Sequence, residues 1–196
     1  MNITLPLSRF VNSYQFDNPL CDSALIEAIR ADGGIQSYTT NVQAYMTEYK
    51  LQLNHQAEPF DKFFTFLNDS IGASLREQID GRRDFDPEQQ HYQYVISDIW
   101  GAIYKHNDYC RLHQHLGSPV SMGCLSFVYY AQSTDSSTAP LVFPGIEYSI
   151  TPVTGQLVIF PGWLSHFVPA YKPADGLERI VLAGNVAVKW KTNKDN

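Results

Sequence analysis

The sequence predicts an α+β protein in which N-terminal helices buttress a double-stranded β-helix, or jelly roll. Three observations carry that expectation. Between Asp61 and Ile79, the residues Phe63, Phe64, Phe66, Leu67, Ile71, Leu75 and Ile79 form an apolar stripe near the helical period of 3.6. From Tyr92 onward the texture changes to short runs rich in Tyr, Val, Ile and Phe, separated by Gly, Pro, Asn and Asp, as antiparallel strands require. Helices first and strands after point to helices packed on a β-sandwich or jelly roll. Finally, His113-Gln114-His115 followed by a lone His166 on a later strand is the layout of a jelly-roll metal pocket.

The 196 residues fit one domain with a full core. Residues 1–91 are expected to give the helical buttress and lead strands, 92–190 the jelly-roll metal core, and 191–196 a polar tail. A hydrophobic content of 44% with 17% charged residues indicates an ordered globular chain. The net charge of −6 argues against extended nucleic-acid binding, which uses basic surfaces, though not against an enzyme acting on one nucleotide. Cys21, Cys110 and Cys124 are irregularly spaced, so reduced thiols in a cytoplasmic protein are expected. The opening MNITLPLSRF lacks a basic start and apolar run, and no stretch approaches the ~20 apolar residues of a membrane span. Oligomeric state is not readable.

Taken in order, residues 1–20 read as a strand-like lead with a turn at Asn18-Pro19. A short helix is expected over Ala24–Arg30, capped by Asp22 or Ser23, with Leu25, Ile26 and Ile29 on one face and Asp32-Gly33-Gly34 stopping it. In residues 35–50, Tyr38, Tyr45 and Tyr49 fit either period. The helix over Asp61–Ile79 ends at Gly81-Arg82-Arg83-Asp84, and 84–91 is a polar connector. Strands are expected at 93–104, 111–116, 122–131, 140–143, 146–150, 156–160, 164–169 and 178–189, with a polar loop at 132–139.

Two histidines one residue apart on an extended segment point to the same side, because strand side chains alternate. Neutral imidazole is the commonest protein metal ligand, so His113 and His115 supply half of a site and His166 is the candidate for the rest. HxH also recurs by chance, and a single strand histidine is more often packed or solvated. His106 and His91 read as loop residues. Cys110 stands three from His113, hence on the opposite face of a regular strand, and both it and Cys124 read as core.

The ordered set Trp100, Asn107-Asp108-Tyr109, His113-Gln114-His115, Leu125 to Tyr130, Gly155 to His166, and Arg179 to Asn185 resembles the Fe(II)/2-oxoglutarate-dependent dioxygenases, in particular the bacterial and phage oxygenase branch related to prolyl hydroxylases. The resemblance spans about residues 93–190. It implies Fe(II) held by His113, His115 and His166, and 2-oxoglutarate as cosubstrate, clamped by Arg179 thirteen residues beyond His166. Tyr104, nine residues before His113, or Tyr129 would supply a hydroxyl to the cosubstrate. Trp163, Tyr129 and Tyr130 would line or brace the pocket. The chemistry agrees: a ferrous ion held on one face leaves positions for cosubstrate and O₂, and a buried Arg gives a bidentate partner for a carboxylate. The residue pair Glu178 and Arg179 must split between the two faces of a strand.

Two departures stand out. His115 occupies the slot where most members carry Asp or Glu, which leaves the site one unit more positive; Asp108 is the alternative acidic ligand. Val181 stands where many members have Ser. The rival reading is a cupin-like protein with a His₃ metal such as zinc, and no oxygenase activity. The substrate to be hydroxylated could be a peptidyl side chain, a nucleobase or a small metabolite.

Overall fold

The computed structural model describes residues 10–32, 35–36, 40–79, 92–115, 123–133, 139–174 and 176–190. The expected helix stop at Gly33-Gly34, the connector 84–91 with His91, most of the loop 132–139, the polar tail 191–196 and the side chain of Cys124 lie outside them.

Among the described residues the chain opens with strand β1 (Asn12–Gln15) and helix α1 (Pro19–Ala31), then the short strands β2 (Ile35–Gln36), β3 (Val42–Gln43) and β4 (Tyr45–Met46). Helix α2 (Phe60–Ile79) precedes the strand-rich part: β5 (Tyr92–Tyr104), β6 (Tyr109–His113), β7 (Gly123–Gln132), β8 (Leu141–Phe143), β9 (Tyr148–Ile150), β10 (Gln156–Pro161), β11 (His166–Val168) and β12 (Arg179–Trp190). All eight strands expected after Tyr92 are present, with shifted ends. Of the undecided stretch 35–50, Tyr45 resolves as strand, Tyr49 lies outside the strands and Tyr38 lies outside the described residues, and the first helix starts earlier than its apolar face suggested. Asn18, not Asp22 or Ser23, is its cap, accepting the Cys21 N–H, and Pro19 sits in the first turn, where its missing N–H costs nothing.

The strands form two antiparallel sheets. A seven-stranded sheet runs β1-β10-β7-β12-β5-β4-β2, and a five-stranded one runs β3-β6-β11-β8-β9. From β5 onward the chain alternates between them, except that β8 and β9 follow one another as a pair in the small sheet. The crossing from β5 to β6 is a tight turn in which Asp108 Oδ2 accepts the Lys105 N–H at 2.7 Å and Asn107 takes φ 72°.

Two cores result. On the outer face of the large sheet, Leu25 and Ile29 of α1 and Phe63, Leu67 and Ile71 of α2 meet Phe127, Tyr129, Leu157, Ile159 and Leu182. Each such buried side chain contributes roughly 1.5–3 kcal/mol. The helix comes so close that a Cβ on Gly101 would lie 2.4 Å from Ile29 Cγ1. Between the sheets lies the second core, built from Trp100, Ala102, Tyr130, Phe160 and Val181 of the large sheet and Cys110, Leu141 and Phe143 of the small one. No helix among the described residues is long and apolar enough to cross a membrane.

Candidate metal centre

The inner core is not wholly apolar. His113 ends β6, His166 begins β11, and the two are directly paired across the small sheet. His115 lies two residues past β6, where its N–H donates to the Gly162 carbonyl at 2.7 Å. Gln114 Nε2 donates to Ser165 Oγ at 2.7 Å, so the segment after β6 is fastened to the turn before β11. The three imidazoles thus converge: Nε2 of His113 and Nε2 of His115 are 3.1 Å apart, and one ligand atom from each of the three lies within 4.8 Å of the others. Three ring nitrogens gathered on one spot would suit a single bound cation.

Hydrogen bonds to backbone set the tautomers of two rings. His113 Nδ1 is 2.8 Å from the Arg111 carbonyl and His166 Nδ1 is 2.9 Å from the Leu164 carbonyl. A carbonyl only accepts, so each Nδ1 carries the proton and each Nε2 keeps its lone pair. Burial lowers all three imidazole pKa values. His166 falls to about 3 and His115 to about 4, with neighbouring imidazoles adding to the effect, and His113 is lowered against opposing backbone hydrogen bonds. Neutral rings with free Nε2 atoms are the form that binds a metal.

The cavity beside them is lined by Trp100, Tyr104, Cys110, Tyr130, Val181 and Arg179 as well as the three histidines. Arg179, the first residue of β12, stands opposite Tyr104 of β5, and directly opposed residues share a face. Only 1% of Arg179 is exposed. Its Nη1 donates to the Ala139 carbonyl at 2.7 Å, while Nε and Nη2 are buried without a hydrogen-bond partner among the described residues. The three ion pairs among the described residues do not include it. Glu178, its strand neighbour, faces outward to Arg30 and Lys105. Burial lowers the Arg179 pKa, opposed by Tyr130, Tyr171 and Tyr104 around it. The guanidinium nonetheless stays charged, and an uncompensated buried charge costs several kcal/mol. Burial also raises the pKa of Tyr104 and Tyr130, so both stay O–H donors.

The structure therefore brings His113, His115, His166, Tyr104 and Arg179 around one cavity. Four expectations need correction. Tyr129 is on the other face of β7, where its hydroxyl donates to Asp22 Oδ1 under α1; the neighbour that lines the cavity is Tyr130. Trp163 is 52% exposed, with its ring edge-on to Phe10 at 6.3 Å, and it does not line the cavity. Cys110 is not opposite His113. The pairing of β11 with β6 slips between His166 and Val168, so two residue steps on one strand span three on the other. That bulge puts Cys110 on the histidine side, with Sγ 3.7 Å from His113 Nδ1. Asp108 spends its carboxylate on the turn and is no part of the cluster. One residue was missed: Tyr171, fully buried, whose ring centroid is 4.6 Å from Arg179 Cζ. It lies between strands, where no periodicity marks it.

No protein-family model matches the chain, and no curated protein matches it by sequence. Solved structures do match in fold. A viral collagen prolyl hydroxylase from Paramecium bursaria Chlorella virus-1, in complex with 2OG, superposes with a TM-score of 0.65 at 15% identity, covering 90% of this chain and 95% of that one. A prolyl-4-hydroxylase from Pseudomonas putida gives 0.63 at 19% identity, over 91% and 92%. A prolyl hydroxylase from Trichoplax adhaerens, in complex with a peptide fragment of the hypoxia inducible factor oxygen degradation domain, gives 0.58 at 12% identity, over 96% and 86%. The chain shares their fold.

Proposed function

We propose that this chain is a non-haem Fe(II)- and 2-oxoglutarate-dependent oxygenase, a cytoplasmic hydroxylase with a jelly-roll core. The observation that carries the reading is the buried edge of Arg179. Its Nε and Nη2, unpaired among the described residues, share one cavity with three neutral imidazoles. A metal-binding module without a cosubstrate has no use for that charge. A cosubstrate with two carboxylates has: one can join the metal and the other can pair with the guanidinium.

The donor set fits the ion. Imidazole suits iron as well as zinc. Three neutral ligands leave the full charge of a divalent cation uncompensated, and Arg179 adds one more positive charge. The dianion of 2-oxoglutarate offsets two of these three, which favours its entry into a site lacking a protein carboxylate.

His113, His115 and His166 would hold the ion through Nε2, with the Arg111 and Leu164 carbonyls keeping two of the rings in register. Arg179 would bind the far carboxylate through its free edge, and Tyr104 and Tyr130 would donate hydroxyl hydrogens beside it. Bound Fe(II) supplies O₂ activation coupled to decarboxylation of the cosubstrate to succinate and CO₂. Trp100, whose ring centroid is 6.3 Å from that of His115, walls the metal side of the cavity and excludes water there. For the substrate, the peptide complex of the Trichoplax relative supports a peptidyl side chain as the first class to test.

The test is an anaerobic titration of 2-oxoglutarate into the Fe(II) protein, followed by succinate release against peptide, nucleobase and metabolite panels. A weak visible charge-transfer band and substrate-stimulated succinate are expected. Tight zinc binding with indifference to 2-oxoglutarate would establish the His₃ module without oxygenase activity instead.

A further inference from the structure

We propose that Tyr171 is a positioning residue for the anion site: its ring holds the Arg179 guanidinium so that the Nε–Nη2 edge alone is offered to the cavity. The inference rests on the 2-oxoglutarate reading above and names a residue that acts through the arginine.

Tyr171 lies between β11 and β12 and is fully buried. Its backbone is tied twice to the turn after β5. The N–H donates to the Asp108 carbonyl at 2.8 Å, and its carbonyl accepts the Asn107 N–H at 2.7 Å. Its hydroxyl donates to the Leu177 carbonyl at 3.0 Å, two residues before Arg179. The ring is therefore fixed at both ends, and the guanidinium lies over it at 4.6 Å.

A guanidinium carries all its N–H donors in one plane, so stacking uses a face and consumes no donor. Tyr171 takes a face, and the Ala139 carbonyl takes Nη1. What remains is the side-on edge, where Nε and Nη2 point the same way and match the two oxygens of one carboxylate. The arginine stands beside Tyr104 and Tyr130 as well. Without the ring, the guanidinium can turn onto those hydroxyls, and a ligand must then pay to turn it back. A desolvated cation over an aromatic face is held more strongly than an exposed one, so this buried pair fixes the edge before the ligand arrives.

The experiment compares Tyr171→Phe, Tyr171→Leu, and mono-, di- and trifluorophenylalanine placed at 171. The readout is the 2-oxoglutarate dissociation constant from anaerobic titration of the Fe(II) protein, with metal content and thermal midpoint measured for each. Tyr171→Phe keeps the ring and should bind within about twofold of wild type, whereas Tyr171→Leu should bind about tenfold more weakly. The fluorinated rings keep the shape and drain the face, so affinity should fall stepwise while metal content and thermal midpoint stay level. A flat fluorine series overturns the proposal, as does equal loss in the Phe and Leu variants. If Tyr171→Leu does not fold, the fluorine series decides alone. A wild type that does not bind 2-oxoglutarate removes the cosubstrate reading, and this inference with it.

Discussion

The two faces of the seven-stranded sheet were built to different rules. The outer face meets α1 and α2 through Leu25, Ile29, Phe63, Leu67 and Ile71, and the buried Asp22 carboxylate receives the Tyr129 hydroxyl. The inner face carries an arginine with two donors unpaired among the described residues and looks onto three imidazoles whose pKa values burial has lowered. One face leaves two isolated buried oxygens, Asn12 Oδ1 and Asp61 Oδ1, without a partner among the described residues. The other is left with donors and lone pairs that only a bound cation and anion complete. Unsatisfied buried polar atoms normally cost stability, so a buried cation with two open donors beside three neutral imidazoles marks where binding was favoured over stability.

The largest expected effect is at His166. Replacing it with Ala removes one of three ligands from the paired strand ends, so metal content and turnover should both be lost. The outer core is untouched, so the fold should persist. Metal analysis beside a thermal melt checks this. Full metal occupancy in a folded His166→Ala protein would break the assignment of the inner face.

Next is Arg179. Removing one partner of a buried charge pair costs ~3–5 kcal/mol, and each ~1.4 kcal/mol is tenfold. Arg179→Ala should therefore weaken 2-oxoglutarate binding by about two to three orders of magnitude, with metal affinity unchanged. Arg179→Lys should recover only part, since an ammonium cannot present two parallel donors. Equal affinity in wild type and Arg179→Ala would leave the inner face a metal site only.

Much of this was legible in the sequence because strands alternate. His113 and His115 share a side, Arg179 and Glu178 split between sides, and both statements need only parity. Parity fails where the ladder slips, and Cys110 was misassigned for that reason: the bulge between β6 and β11 adds one residue to its strand. Parity also cannot say which side of a sheet is which. Tyr129 and Tyr130 are adjacent and chemically equivalent, and only the register, Tyr130 opposite Val181 and Tyr129 opposite Leu182, assigns one to the cavity and the other to the helices. Tyr171 is in neither class, since its place follows from the path of a loop. The early start of α1 was missed because its cap, Asn18-Pro19, reads equally well as a turn.

The histidines give a smaller, pH-dependent difference between the faces. Unfolded histidine titrates near ~6.5, whereas His115 and His166 in the folded chain fall to about 4 and about 3. Between those values the unfolded chain binds more protons than the folded one, so stability rises with pH there and is lost on acidification. The metal-free protein should therefore need less urea to unfold at about pH 5 than at about pH 7, by up to ~1.4 kcal/mol per unit for each such histidine. His115→Asn should remove its share of that dependence and leave the share of His166, whereas an unchanged pH sensitivity in His115→Asn would show that other groups carry it.

The finest test uses the neighbours on β7. Tyr129→Phe leaves Asp22 without the hydroxyl that it accepts from, and an orphaned buried acceptor costs ~1–3 kcal/mol. The loss should appear as a lower urea midpoint, with no change in 2-oxoglutarate affinity, because Tyr129 does not line the cavity. Tyr130→Phe should do the reverse. Its hydroxyl borders the cavity beside Arg179, and one neutral hydrogen bond contributes about 0.5–1.5 kcal/mol, or roughly two- to tenfold in cosubstrate affinity. Its stability should hold, since the ring still fills the inner core. The two substitutions delete the same atom from adjacent residues, so composition and strand position are matched and only the face differs. If both variants lose stability and keep affinity, the inner face is an ordinary core at this position, and the hydroxyl assigned to the cosubstrate must be that of Tyr104 alone.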